Sequence, residues 1–143
     1  MTKAFFDTNV IIYAFVENDL LRSQVSRDLM ESYAMNDHAV ISTNVLNETF
    51  FAAVRKHKFS REDARAVVQR LSVLRHVVVP SVAVILQAND IAVETQFTIY
   101  DALMIAAAKS AGCDRIYTED LTHNQVVQGI KIINPFLEQA TPS

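Results

Sequence analysis

With 143 residues, half of them hydrophobic and a fifth charged, the chain has the size and composition of one domain that buries a substantial core. Two glycines and three prolines exclude fibrous and disordered classes. The net charge of -3 speaks against a protein that holds nucleic acid by bulk positive charge, though not against one that meets phosphates through bound cations.

No apolar run approaches the ~20 residues of a membrane helix, and Asp7 comes too early for a secretory leader. Cys113 is the only cysteine, so no internal disulfide forms and a cytoplasmic location is expected. The histidines (His38, His57, His76, His123) are scattered and have no cysteine partners, which argues against structural zinc. Gly112 and Gly129 stand apart, so Walker-type and dinucleotide-binding loops are excluded, and no Gly-x-Ser-x-Gly elbow is present.

In chain order, Lys3 to Phe6 is a short apolar run that predicts a buried first strand. Asp7-Thr8-Asn9 supplies capping side chains for a helix through Phe15. A second helix is expected over Asp19 to Met35, with Leu21, Val25, Leu29 and Met30 facing inward. Ala39 to Ser42 reads as the second strand, and Thr43 or Asn44 caps a helix running to about His57 with Leu46, Phe50 and Val54 on one face.

Ser60-Arg61-Glu62-Asp63 has capping-box form before Ala64, Val67, Val68, Leu71 and Leu74 at helical spacing. Arg55 to Lys58, with Arg61 and Arg65, reads as a solvated corner between these helices, with contact to the phosphates of a nucleic acid as the less favoured reading. Phe50, Phe51 and Phe59 read as core or dimer-interface residues. The aliphatic side chains Val67, Val68 and Leu71 are candidates for an oligomer or partner face.

His76 to Val79 is a third strand closed by Pro80, and Ser81 starts a helix to about Glu94. Thr98-Ile99-Tyr100-Asp101 opens a helix that is apolar nearly all round and therefore buried, with Gly112 at its C′ position. Arg115 to Thr118 and Ile130 to Ile133 complete the strands. Residues 1–134 are expected to form the domain and 135–143 a fraying tail. Alternating strands and helices predict an α/β fold: three layers, α/β/α, around a parallel sheet of about five strands.

Ligands of such sheets bind beyond the carboxyl ends of the strands. Asp7 follows the first strand directly, and Asp120 follows the fourth. Glu48 lies about one turn into the helix after the second strand, and Asp101 opens the buried helix. Each acid alone has an ordinary structural reading; Asp101, for instance, complements a helix dipole. Gathered together they repel, since unit charges ~4 Å apart cost roughly 4 kcal/mol at an effective dielectric of about 20. Protons or divalent cations must relieve that, and oxygen-only donors favour Mg2+ or Mn2+. Such a site is suited to phosphodiester hydrolysis, with Thr8, Asn9 and Thr118 orienting carboxylates or waters.

Asp7-Thr8-Asn9-Val10 after Phe5-Phe6 resembles the opening motif of PIN domains. Asn47-Glu48, Tyr100-Asp101-Ala102-Leu103 and Thr118-Glu119-Asp120 resemble the later acidic motifs, in order and over nearly the whole chain, as in VapC-type toxins. The resemblance assigns Asp7, Glu48, Asp101 and Asp120 as catalytic and metal-binding residues, with Glu119 as a substitute for, or neighbour of, Asp120. It implies an endoribonuclease using Mg2+ or Mn2+ that inhibits translation and growth. It also implies a homodimer and blockage by a cognate VapB-type antitoxin.

A PIN nuclease of RNA processing without an antitoxin, and a non-catalytic module of the same fold, are the alternatives. A phosphatase with an aspartyl nucleophile fits less well, because Asn9 stands where its acid–base Asp is needed.

Overall fold

The computed structural model describes residues 2–140. The elements run β1 (Ala4–Phe6), α1 (Thr8–Tyr13), α2 (Leu20–Met35), β2 (Ala39–Ser42), α3 (Thr43–Arg55), α4 (Arg61–Ser72) and β3 (His76–Val78). They continue through α5 (Val82–Glu94), α6 (Ile99–Ser110), β4 (Arg115–Tyr117), β5 (Val126–Val127), β6 (Ile130–Ile133) and α7 (Pro135–Ala140). Among the described residues no helix is long and apolar enough to cross a membrane.

One six-stranded sheet has the order β3-β2-β1-β4-β6-β5, and only the β5–β6 pair is antiparallel. Its central strand β1 is fully buried, with Phe5 opposite Val40 on one side and Ile116 on the other. Successive side chains of a strand face opposite ways. Phe6 stacks on Tyr117 and meets Tyr33 of α2 edge-on, whereas Phe5 shares a cleft with Leu103 and Met104 of α6. The two helices therefore cover opposite faces, which gives the three layers.

Local capping explains most boundaries. Ser60, Ser81 and Thr98 each accept a hydrogen bond from the backbone N–H three residues on, as the sequence predicts. The start of α3 differs: Ser42, the last residue of β2, is its N-cap, because strand and helix join with no loop between them. Helix α6 is buried along most of its length, as its apolar sequence requires.

Four other expectations are corrected. Leu21 is 65% exposed, and α2 instead buries the small Ser23 and Ser26 and the Tyr33 ring, which packs on Phe6 and Tyr117 of the sheet. Val67 and Leu71 are buried in the core and so are not available as a partner face, and Val68 is half-buried. Val126–Val127 is a further, antiparallel edge strand, turned into β6 by Gln128 and Gly129 with φ of 54° and 79°. The positive φ at both turn residues matches the twist of a tight hairpin. Finally, residues 135–140 do not fray: they form α7, with Phe136 buried against Tyr13 edge-on, while 141–143 lie outside the described residues.

Helix α3 ends with Lys58 at φ 61°, where the Phe59 N–H donates to the Ala53 carbonyl at 2.9 Å. A left-handed residue in this closing turn is ordinarily glycine. We expect Lys58→Gly to raise stability by about 0.5–1 kcal/mol in urea unfolding, the residual of a steric penalty relieved against chain entropy added. A loss of stability would mean that the Lys58 Nζ bond to the Arg55 carbonyl, 3.2 Å, matters more.

Candidate active site

The strand order reverses at β1: the chain first builds β2 and β3 to one side, then β4 and β6 to the other. A crevice opens at such a switch point. The residue that ends β1 and enters α1 is Asp7, and the segment leaving β4 is Thr118 to Asp120. Ser42 and α3 bring Asn44 and Glu48 from one side, and the first turn of α6 brings Tyr100 and Asp101. Asp7, Glu48, Asp101 and Asp120 all line this cleft, about 90 Å3 in volume, above Phe5, Val45 and Met104. The four predicted acids thus meet, each carried by a different segment.

Hydrogen bonds hold the inner acids in place. Asp7 caps α1, accepting from the Thr8 N–H at 2.7 Å, and its other oxygen accepts from the Thr118 hydroxyl at 2.8 Å. The same Thr118 oxygen accepts from the Asp120 N–H at 3.2 Å, so one fully buried side chain ties β4 to both acids. The Thr8 hydroxyl donates to Glu48 at 3.1 Å, and the Asn9 side-chain carbonyl accepts from the Glu119 N–H at 3.4 Å. Thr8 and Thr118 thus stand one hydrogen bond behind the Glu48 and Asp7 carboxylates, whereas Asn9 bonds the Glu119 backbone instead. At α6 it is the Asp101 backbone N–H that Thr98 caps, at 3.2 Å, while the Asp101 carboxylate lines the cleft.

Glu119 is drawn elsewhere. Its carboxylate lies 3.5 Å from Arg22 Nε, on a guanidinium that also binds Asp19 at 3.0 Å and sits over the Tyr13 and Phe136 rings. Between the two adjacent acids, Asp120 faces the cleft and Glu119 belongs to the ion pair. Arg22 had no signal in the sequence, because apart from Asp19 its partners Tyr13, Glu119 and Phe136 come from other segments. Asn44 could have been found: it precedes Glu48 by four residues, on the same helical face.

The electrostatics record the crowding. Burial pushes the Asp7 carboxyl up to about 6; the Thr118 and Thr8 hydrogen bonds oppose this, and the Asp120 and Glu48 charges add to it. Glu48 is raised as well, first by burial and then by Asp101 and Asp120, against the Thr8 hydrogen bond. Among the described residues no three His, Cys, Asp or Glu side chains converge as a ready-made metal ligand set. The acids share one cleft but do not close on a common point.

A mostly parallel sheet with an acid cleft at its switch point defines an α/β protein built to meet a polar or charged ligand there. The sequence matches the PIN domain over residues 4–127, and the chain belongs to the PIN-domain family. No curated protein matches the sequence. Among solved structures it is similar to VapC20 of Mycobacterium tuberculosis, described as a sarcin-ricin loop cleaving toxin: TM-score 0.67, 23% identity, over 82% of this chain and 90% of that one. It is also similar to a chain of the DNA-bound VapBC of Salmonella typhimurium: TM-score 0.69, 21% identity, 92% and 97% covered. A third is FitAcB of Neisseria gonorrhoeae: TM-score 0.63, 15% identity, 93% and 98% covered. At these identities the shared property is the fold.

Proposed function

We propose that the protein is an endoribonuclease dependent on Mg2+ or Mn2+ and the toxin of a type II toxin–antitoxin pair, acting in the cytoplasm to inhibit translation and growth. The observation that carries this reading is the meeting of Asp7, Glu48, Asp101 and Asp120 in one cleft. Asp7 also caps α1 and Asp101 lies in the first turn of α6, but neither role accounts for all four acids lining one cleft. Burial chiefly, with a smaller addition from their neighbouring charges, raises Asp7 and Glu48, a cost that a bound cation would offset.

The donor set fits a hard divalent ion, being oxygen only. Asp7 and Asp101 would hold it from opposite walls, with Glu48 and Asp120 reaching it directly or through water. When bound, such an ion supplies a water of lowered pKa and offsets the charge that develops on the phosphate. The chain's own part is positioning: Thr118 fixes Asp7 and the Asp120 backbone, Thr8 fixes Glu48, and Thr98 sets the angle at which α6 presents Asp101.

Similarity to VapC20 and to VapBC complexes supports RNA as substrate and a VapB-type antitoxin as partner. Exposed apolar side chains along α5, Val82, Leu86 and Val93 among them, support a homodimer through that face.

The test is cleavage of a panel of structured RNAs with Mg2+, Mn2+ or EDTA, by wild type and Asp101→Asn. Cleavage is expected with either ion and absent in EDTA, and Asp101→Asn should lose it while keeping its fold and metal-free melting temperature. Cleavage that persists in EDTA would end the metal-nuclease reading. A clear drop in the metal-free melting temperature of Asp101→Asn would mean that its carboxylate serves chiefly to cap α6.

A further inference from the structure

Beside the acid cleft lies a second, larger cavity of about 250 Å3, between α1 and the C-terminal end of α3. The two share Asp7, Glu48 and Asp120, so they form one continuous groove. Against a volume of roughly 30 Å3 per water in the liquid, the second cavity has room for a planar ring rather than for solvent alone.

Its lining is unlike that of the first. The outer wall carries Phe51, Lys56 and His57, and the inner wall carries Asn9 and Tyr13. Phe51 is 63% exposed, whereas Phe50 and Phe59 pack against the small core of Ile12, Val16, Ala53 and Ala64. The Arg55 guanidinium lies over the Phe51 ring at 5.5 Å, which braces an aromatic that no core contact requires. Two buried polar atoms in this lining, Asn9 Nδ2 and His57 Nε2, have no hydrogen-bond partner among the described residues. They are two of six such atoms among the described residues, and here a small side-chain movement would turn them toward the cavity. The closing turn at Lys58 fixes Lys56 and His57 against the end of α3, where the N–H groups of both donate to the Ala52 carbonyl.

We infer that this cavity is a subsite for one unpaired nucleotide of the RNA strand adjacent to the acid cleft. Its base stacks on Phe51, its base edge meets His57 and Asn9, and its phosphate meets Lys56. The inference rests on the ribonuclease reading above for the identity of the strand. An aromatic face, one cation and neutral hydrogen-bonding groups next to a row of acids suit a nucleotide. The four acids repel phosphate, so the one lysine in the groove must attract it.

The test is fluorescence anisotropy with a short, labelled, randomised single-stranded RNA. Asp7→Asn, Asp7→Asn/Phe51→Ala and Asp7→Asn/Phe51→Tyr proteins are compared, with circular dichroism melts as the control for folding. Removal of the Phe51 ring should weaken binding roughly five- to tenfold, the lower range for one base stacked on an aromatic. Tyrosine should restore it. Lys56→Ala in the same background should lower the salt slope by about 0.7, the value for one phosphate of a single strand.

Equal affinity in the alanine variant, equal loss in the tyrosine variant, or no RNA binding by any protein would overturn the inference. A cavity that takes a protein segment instead would give the first of these results. Cleavage by the otherwise wild-type chain keeps the two proposals apart. Phe51-dependent binding without cleavage would remove the nuclease and leave the subsite, and cleavage with Phe51-independent binding would do the reverse.

Discussion

Asp7→Asn should make the metal-free protein more stable while removing its activity. The Asp7 carboxyl titrates near 6 in the folded chain against 3.8 for the free side chain, so the folded state binds this proton more tightly than the unfolded one. The contribution of Asp7 to stability is then greatest below about pH 4, falls as the pH rises to about 6, and is flat above. Across that window the difference of about 2.2 pH units corresponds to about 3 kcal/mol.

Asparagine carries no charge and removes that slope, but it accepts less well from Thr8 and Thr118. A net gain of about 1–2 kcal/mol at neutral pH is therefore expected, or roughly 3–6 °C in Tm. Cleavage should fall by more than about a hundredfold, since loss of a group one shell further out already costs 10–100-fold. Added Mn2+ should stabilise wild type, by about 2.7 kcal/mol at a hundredfold excess over Kd, and leave Asp7→Asn little changed. Thermal melts of both proteins from pH 4 to 8, with and without Mn2+, read all of this. A variant that melts lower at neutral pH without metal would show that Asp7 is there to cap α1.

Thr118→Val should do the opposite on both counts that metal-free melting and pH report. The substitution keeps the shape of a fully buried side chain and removes the oxygen that donates to Asp7 and accepts from the Asp120 N–H. Leaving the Asp120 N–H and an Asp7 oxygen unpaired should cost about 2–3 kcal/mol. Without that hydrogen bond the Asp7 carboxyl rises further, so the fall of stability with pH continues beyond 6. Cleavage should drop 10–100-fold with a weaker Mn2+ midpoint, because two acids lose their orientation at once. Thr118→Ser keeps the hydroxyl and should recover most of the activity despite the lost methyl. If valine lowered stability but not the Mn2+ midpoint, Thr118 would be a packing residue only.

Much of this architecture can be read from local signals. Ser60, Ser81 and Thr98 announce their helices because a cap is a short-range bond, and the apolar stretch after Asp101 announces a buried helix because no polar face is left. The placing of Asp7 and Asp120 at one edge follows from parallel strands alone. Features that depend on distant partners were hidden. Helix α7 exists because Phe136 finds Tyr13 and Arg22, and a tail ending Asn134-Pro135-Phe136 shows none of that. The short strand Val126–Val127 turns through Gln128-Gly129, without the Asn-Gly or Asp-Gly pair that usually signals a hairpin.

The sequence assigns Asp120 by resemblance but leaves Glu119 beside it as an alternative, and the ion pair that draws Glu119 toward Arg22 of α2 has no local sequence signal. Phe51 is the most instructive case. It shares helix and residue type with its neighbour Phe50, and only the packed structure separates the one in the core from the one at the groove.

The bond between Thr118 and Asp7 joins residues 111 positions apart, and the strands that carry them lie side by side at the centre of the sheet. During synthesis β1 emerges first and waits for β4 until most of the chain has left the ribosome. Until then its edge, the Asp7 end included, has no neighbour on that side. A product released early, anywhere before Tyr117, lacks one wall of the cleft and the hydroxyl that orders the other. Incomplete chains therefore carry the first acids without the geometry that gathers them in the folded protein.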